Sequence, residues 1–326
     1  MKMSRISKLC FIVLFLSTAP ILKTKCEGLT VKSLTFENQI NPTGIDIVNP
    51  NLSWVLESKN RGEYQILVAS SPELLAKDKG DLWNSEKQLS EQSILLKYAG
   101  KPLVTGMHCF WKVKVWDKDN KASAWSEPAQ WSMGLLKPED WKAKWIGIDK
   151  AFAGEDDKGQ FRKLAARYLR KEFKVIKAIK NATAYISGLG LYELHINGNR
   201  VGNMVLAPGA TQYNKTVFYN TFDVTSQLTS GKNAIGVILG NGRYFAMRKD
   251  DPFLMQNFGF PKLLMQLNIE YKDGTKELLN SDESWRIIVN GPITENNEFD
   301  GEKYDARLEM NGWDKKDFND SKWLNA

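Results

Sequence analysis

The densest group of potential acid–base residues is Glu298, Asp300 and Glu302, with Asp305 close behind. If 298–302 is extended, the first three share one face, and paired carboxylates are what glycoside hydrolysis needs, one as acid and one as base or nucleophile. Residues two apart on a strand face lie only ~7 Å apart at the backbone, however, with no sugar cleft implied between them. A turn rich in carboxylate oxygen is also the kind of place that calcium chooses, so calcium stays open and no other cofactor is expected. The favoured reading is a charged loop at a domain edge. Histidine offers little: beyond the leader there are His108 and His195, and His195 alternates with Leu194 and Ile196, which places it on the solvated face of a strand. No Cys/His metal spacing and no P-loop is present. Gly188-Leu189-Gly190 and Gly240-Asn241-Gly242 are short glycine turns outside a strand-to-helix context, a weak signal for nucleotides. The segment Arg243-Tyr244-Phe245-Ala246-Met247-Arg248, continuing through Phe253, Phe258 and Phe260, is aromatic for a loop. Such rings stack on sugars while arginine donates to hydroxyls. They equally cover a domain surface, and packing between domains is the favoured reading.

The elements that must position these residues are strands. In 263–271, Leu263, Met265, Leu267, Ile269 and Tyr271 alternate with polar residues after Leu264, which predicts one buried and one wet face. Lys272-Asp273-Gly274-Thr275 follows as a tight hairpin turn, with a return strand carrying Leu278. In 110–117, Trp111, Val113 and Val115 point inward and Lys112 and Lys114 outward. Further strands fit 53–56, 63–69, 181–186, 192–196 and 234–239, whereas the helix signal is one short stretch, Ser71-Pro72-Glu73 before Leu74-Leu75, with serine as cap and proline at the first helical position. An all-β protein of two sandwiches results. The boundary is placed at 135–140, and 153–162 is read as an exposed loop.

Lys2, Arg5 and Lys8 precede the apolar run 9–16, which Ser17, Thr18, Pro20 and Lys23 interrupt well short of the roughly 20 residues of a membrane span. Residues 1–27 are therefore expected to be a signal peptide, and the protein to be exported to the periplasm or outside the cell, without a transmembrane span. Cys26 is a candidate lipid attachment site, disfavoured because Lys23-Thr24-Lys25 precedes it. The net charge of +7 is mostly leader: residues 1–27 hold five Lys or Arg and one acid, leaving 40 basic against 37 acidic residues. Without a dense basic run, nucleic acid is excluded as the main partner. Of three cysteines only Cys109 lies clearly beyond the leader, so no disulfide framework is possible and buried cores must supply stability.

Several segments, in order, resemble the N-terminal region of bacterial α-L-rhamnosidases. They are Trp141-Lys142-Ala143-Lys144-Trp145-Ile146-Gly147, the run from Tyr185 through Tyr192-Glu193-Leu194-His195-Ile196 to Asn197-Gly198, Val205-Leu206-Ala207-Pro208-Gly209, Asp282-Glu283-Ser284-Trp285, and Gly301-Glu302-Lys303-Tyr304-Asp305-Ala306-Arg307. Upstream, Asn49-Pro50-Asn51-Leu52-Ser53-Trp54 and Trp125-Ser126-Glu127 resemble the fibronectin type III-like module that precedes that region. Beyond the signal peptide at 1–27, the resemblance implies a fibronectin type III/Ig-like sandwich at 28–137 and a galactose-binding-like jelly-roll sandwich at 138–326. It further implies a downstream (α/α)₆ barrel holding the acids of an inverting hydrolysis, so that no catalytic residue lies in this chain. Its partners would then be that barrel and rhamnose-containing glycans. Family members continue past Trp323-Leu324-Asn325-Ala326, so the second sandwich is expected to lack its last strand and to leave an unpaired edge. Two other readings stay open. One is a freestanding carbohydrate-binding module using Arg243, Tyr244 and Phe245, or Glu302, Tyr304, Asp305 and Arg307, residues that serve equally as interdomain contacts. The other is a surface adhesion protein of stacked sandwiches.

Overall fold

The computed structural model describes residues 29–57, 62–245 and 257–326. The signal-peptide reading, Cys26, and the loop residues Ala246, Met247, Arg248 and Phe253 lie outside the described residues. The first strand set is β1 (Val31–Phe36), β2 (Asn51–Leu56), β3 (Glu63–Ala69), β4 (Trp83–Asn84), β5 (Leu96–Lys97), β6 (His108–Trp116) and β7 (Ala129–Ser132), with helix α1 (Pro72–Ala76) after β3. The second is β8 (Ile146–Gly147), β9 (Arg167–Val175), β10 (Ile179–Leu189), β11 (Leu191–Ile196), β12 (Asn199–Arg200), β13 (Asn220–Asp223), β14 (Gly231–Gly240), β15 (Lys262–Tyr271), β16 (Lys276–Asn280), β17 (Arg286–Ile288), β18 (Ile293–Asn297), β19 (Gly301–Tyr304) and β20 (Leu324–Asn325).

In the first sandwich a sheet ordered β1-β2-β5 faces one ordered β4-β3-β6-β7. Between them lie Phe36, Leu52, Trp54, Ile66, Val68, Trp111, Val113 and Trp131, all essentially inaccessible. Phe36 and Trp131 stack with ring centroids 4.2 Å apart. Cys109 is buried in the same core, and burial pushes its thiol up to about 12. The α1 cap forms as the residue types demand, with Ser71 Oγ accepting from the Leu74 amide at 3.3 Å.

The second sandwich opposes a five-stranded sheet, β13-β10-β15-β16 with β8 on β15, to a six-stranded one, β12-β11-β14-β9-β17-β20. Its core includes Leu169, Ile186, Leu194, Val237, Met265, Leu267 and Trp285, each 1% exposed or less. Full burial of such a side chain contributes about 1.5–3 kcal/mol. The odd positions of β15 do face this core, and the turn closes at Gly274, whose φ of 84° suits glycine. At one edge of the six-stranded sheet Leu324 and Asn325 pair with Ile287 and Arg286.

Two outward-facing assignments need correction. Gln266 lies on the supposedly wet face of β15 yet is 2% exposed, because the segment entering β8 crosses over it: its Oε1 accepts from the Lys142 amide at 2.7 Å and its Nε2 donates to the Asp140 carbonyl at 3.2 Å. Lys112 on β6 is likewise buried, paired with Asp78 and 4.9 Å from the Trp125 ring. Its sheet face is covered by Leu75 of α1, which packs on Leu67 and Ala69.

The two strand sets touch closely. The Tyr219 hydroxyl accepts from the Leu135 amide at 3.1 Å, and Thr43 Oγ1 donates to the Thr221 carbonyl at 3.2 Å. A Cβ at Gly134 would stand 2.4 Å from the Tyr219 hydroxyl, so only glycine permits this approach.

Candidate ligand-binding face

The outer face of the six-stranded sheet is only partly covered. The β18–β19 hairpin and the segment from Ala306 to Trp323 lie over it and leave two adjoining cavities that share Ile238 and Ile293. One, about 460 Å³, has a floor of Leu191, Ile238 and Ile293 and carries Glu193 and Glu302. The other, about 450 Å³, carries Tyr304, Glu309, Asn311, Trp313 and Lys315. Alternation along β19 explains the division of labour, for Glu302 and Tyr304 project to the cavities while Lys303, of opposite parity, pairs with Glu295 at 2.7 Å.

The residues expected to serve together are dispersed. Arg243 pairs with Glu298 at 2.7 Å, which raises its pKa and ties its loop to the turn between β18 and β19. Tyr244 stacks on Phe258 at 5.8 Å and meets the edge of Tyr213 at 5.1 Å. Phe245 is 3% exposed against Phe260, and so is a packing residue inaccessible to ligand. Asp305 and Arg307 pair with each other at 2.6 Å, and hydrogen bonds from the Arg307 guanidinium and amide hold Asp305 down at about 2. Glu302 and Tyr304 alone of the seven line the cavities. The acidic trio does not converge either: Glu298 is taken by Arg243, and Asp300 accepts from Asn297 Nδ2 at 3.3 Å. Among the described residues no three His, Cys, Asp or Glu side chains are grouped to hold a metal ion.

His195 corrects the solvated-strand reading. Its face of β11 is covered by the chain around Asp314, and its side chain is 17% exposed. Nδ1 lies 2.8 Å from Asp314 Oδ2 and Nε2 lies 2.8 Å from Glu193 Oε1, while Arg200 pairs with Glu193 at 3.1 Å. Burial disfavours the imidazolium, but the two carboxylate hydrogen bonds outweigh it, so the pKa of His195 is raised and that of Asp314 lowered. The sign follows. A pKa raised on folding contributes stability that is fully present below the unfolded imidazole value near 6.5 and is lost as pH rises through the folded value. Urea unfolding of the native chain and His195→Gln between about pH 6 and 9 should show a native advantage that shrinks with rising pH; parallel curves would refute the carboxylate clasp.

Buried arginines are what residue patterning missed. Arg167, on β9, is fully buried against Glu155, which comes from the 153–162 stretch expected to be exposed. Arg170, also on β9, is 1% exposed and donates from Nε to the Trp313 carbonyl at 2.9 Å. An arginine on a strand is ambiguous by type, and only its partner tells whether it lies inside.

Comparison with known proteins agrees with this architecture. Residues 31–137 match the family described as Rha78A-like, N-terminal immunoglobulin domain, and residues 177–326 match the Alpha-L-rhamnosidase N-terminal domain. An α-L-rhamnosidase of Formosa agariphila is 38% identical over 343 residues, covering 97% of this chain and 36% of that protein. One from Alteromonas sp. is 36% identical, covering 88% and 32%. The solved α-L-rhamnosidase of Dictyoglumus thermophilum superposes with a TM-score of 0.79 at 42% identity, over 91% of this chain and 34% of that one. The Streptomyces avermitilis enzyme, solved with L-rhamnose, gives 0.81 at 26% identity, over 91% and 44%. The chain thus spans about a third of the length of the curated relatives it matches. With both sandwiches matched in order, the chain is an α-L-rhamnosidase N-terminal region, a Rha78A-like immunoglobulin domain followed by the Alpha-L-rhamnosidase N-terminal domain.

Proposed function

We propose that these two sandwiches are the non-catalytic support of a secreted α-L-rhamnosidase that removes terminal α-L-rhamnose from glycans by inversion. The observation that carries the reading is the lopsided coverage: nearly all of this chain aligns with about a third of proteins named for the activity. In such a protein an acid of raised pKa protonates the leaving oxygen while a second carboxylate, ~6.5–9.5 Å away, activates water. That pair belongs to the part of the relatives that this chain does not match. The sandwiches supply a braced platform, since Tyr219, Thr43 and the Gly134 contact join them directly. Export by residues 1–27 fits a glycan-degrading role. Among the described residues no helix is long and apolar enough to cross a membrane.

Incubation of the purified chain with an aryl α-L-rhamnoside should release no phenol above background, whereas a protein carrying the remaining two-thirds of a relative's length should release it readily. Turnover by this chain alone would overturn the reading.

A further inference from the structure

We infer that Asn311 is a site of spontaneous modification, and that its conversion to isoaspartate releases the 313–320 segment from the outer face of the six-stranded sheet. An asparagine followed by glycine cyclises readily, because no side chain shields the glycine amide. The Gly312 nitrogen attacks Asn311 Cγ and gives up its proton, the Cγ–Nδ2 bond breaks, and the side-chain nitrogen leaves as ammonia. Water then opens the cyclic imide at either carbonyl. The product is aspartate, or isoaspartate with the backbone rerouted through Cγ and lengthened by a carbon.

The reaction is intramolecular, so its rate follows how often the two atoms meet in attacking geometry. Asn-Gly pairs begin at positions 197, 241, 290 and 311, and the fold treats them differently. Asn197 is held at both ends of its amide: Nδ2 donates to the Gln227 carbonyl at 2.9 Å and Oδ1 accepts from the Ala234 amide at 2.9 Å. Asn241 is 2% exposed, and its Nδ2 donates to the Leu164 and Asn296 carbonyls at 2.9 and 2.8 Å. Asn290 is exposed, but Gly291 is buried against Tyr168: a Cβ there would meet the ring at 2.3 Å, so the peptide that must rotate is wedged. Asn311 is exposed, and neither its side chain nor the Gly312 amide makes a hydrogen bond among the described residues. Gly312 has φ of 79° in a turn closed by the Trp313 amide on the Met310 carbonyl at 3.0 Å.

The chain beyond this turn is held in close register. The Trp313 and Lys315 carbonyls each accept from Arg170 at 2.9 Å, Asp314 Oδ2 lies 2.8 Å from His195 Nδ1, and the Asp314 carbonyl accepts from the Gly198 amide at 3.1 Å. The sheet beneath leaves no slack, since a Cβ at Gly236 would stand 2.7 Å from the Trp313 ring and 2.8 Å from Asp314 Cβ. An extra backbone carbon just before Trp313 moves these acceptors off their donors.

Ageing the purified chain in warm, mildly alkaline buffer, with and without urea, and mapping deamidated peptides by mass spectrometry tests the site. In urea the four pairs should react at similar rates. In the native chain Asn311 should react fastest and keep within about threefold of its unfolded rate, whereas Asn197 and Asn241 should fall at least about tenfold below theirs because they react only on local opening. A native chain in which any of the other three outpaces Asn311, or in which Asn311 stays intact, overturns the inference. Amide hydrogen exchange across 313–320 then tests the release: it should accelerate by at least about tenfold in the aged native chain. Asn311→Gln aged alongside, and fresh Asn311→Asp, which adds the charge without the carbon, should both exchange like the fresh native chain; circular dichroism verifies their fold. Equal acceleration in aged Asn311→Gln, or none in native chain converted at position 311, overturns the release.

Discussion

Glu155→Ala is expected to destabilise the second sandwich by about 3–5 kcal/mol, the cost of leaving a buried charge without its partner. Arg167 is fully buried and the Glu155 side chain is 5% exposed. The carboxylate does more than neutralise the guanidinium. Glu155 Oε2 lies 3.1 Å from Arg167 Nη2 and accepts from the Phe152 amide at 2.8 Å, while Oε1 accepts from Nη1 and, at 2.8 Å, from the Ala165 amide. Truncation therefore strands one charge and two amides, each of which costs about 1–3 kcal/mol when left unsatisfied. The measurement is the urea midpoint of the native chain and the variant, with near-ultraviolet circular dichroism as the readout. A loss below about 1 kcal/mol would mean that water reaches the guanidinium and that the site is not buried in solution. The double variant Glu155→Leu with Arg167→Met should recover only the part of the loss that comes from the stranded guanidinium, since the Phe152 and Ala165 amides stay without their acceptor.

Arg170→Met should cost about 1–3 kcal/mol, since the carboxylates it leaves, Asp320 and Glu172, reach water, but with a local signature. The Arg170 guanidinium donates to the Trp313 and Lys315 carbonyls, both at 2.9 Å, pairs with Asp320 and with Glu172 at 2.6 Å, and lies 5.4 Å from the Phe318 ring. It thus fastens the 313–320 segment to β9, beneath a small core of Tyr168, Trp313, Phe318 and Trp323. Methionine fills the space and makes none of these bonds. Amide hydrogen exchange across 312–325 should accelerate by at least about tenfold, more than in the first sandwich, because local unfolding follows the loss of local contacts. Uniform acceleration through both sandwiches would mean that the segment unfolds only with the whole.

Much of the fold is legible in residue order because a strand's side chains alternate by backbone geometry alone. Met265, Leu267 and Ile269 are core residues on that ground, as are Trp111, Val113 and Val115, and Ser71 and Gly274 mark a helix start and a hairpin from local chemistry. Ordered motifs carried the family membership. Alternation says which way a side chain points, however, and not what will cover it. Lys112, Gln266 and His195 were each assigned to water, and each is covered by chain that local patterning cannot see: Asp78 beside α1, Lys142 at a separation of 124 residues, and Asp314 at 119. Phe245 turned inward for the same reason, and only the folded hairpin brought Glu302 and Tyr304 to one groove while leaving Asp305 and Arg307 to each other. Residue order by itself determined the strands, their inward faces and the family; tertiary structure decided which polar groups are buried, because a charge inside a protein is tolerable only beside a partner, and a partner 150 residues away, as Asp320 is from Arg170, is supplied by topology rather than by neighbours in sequence.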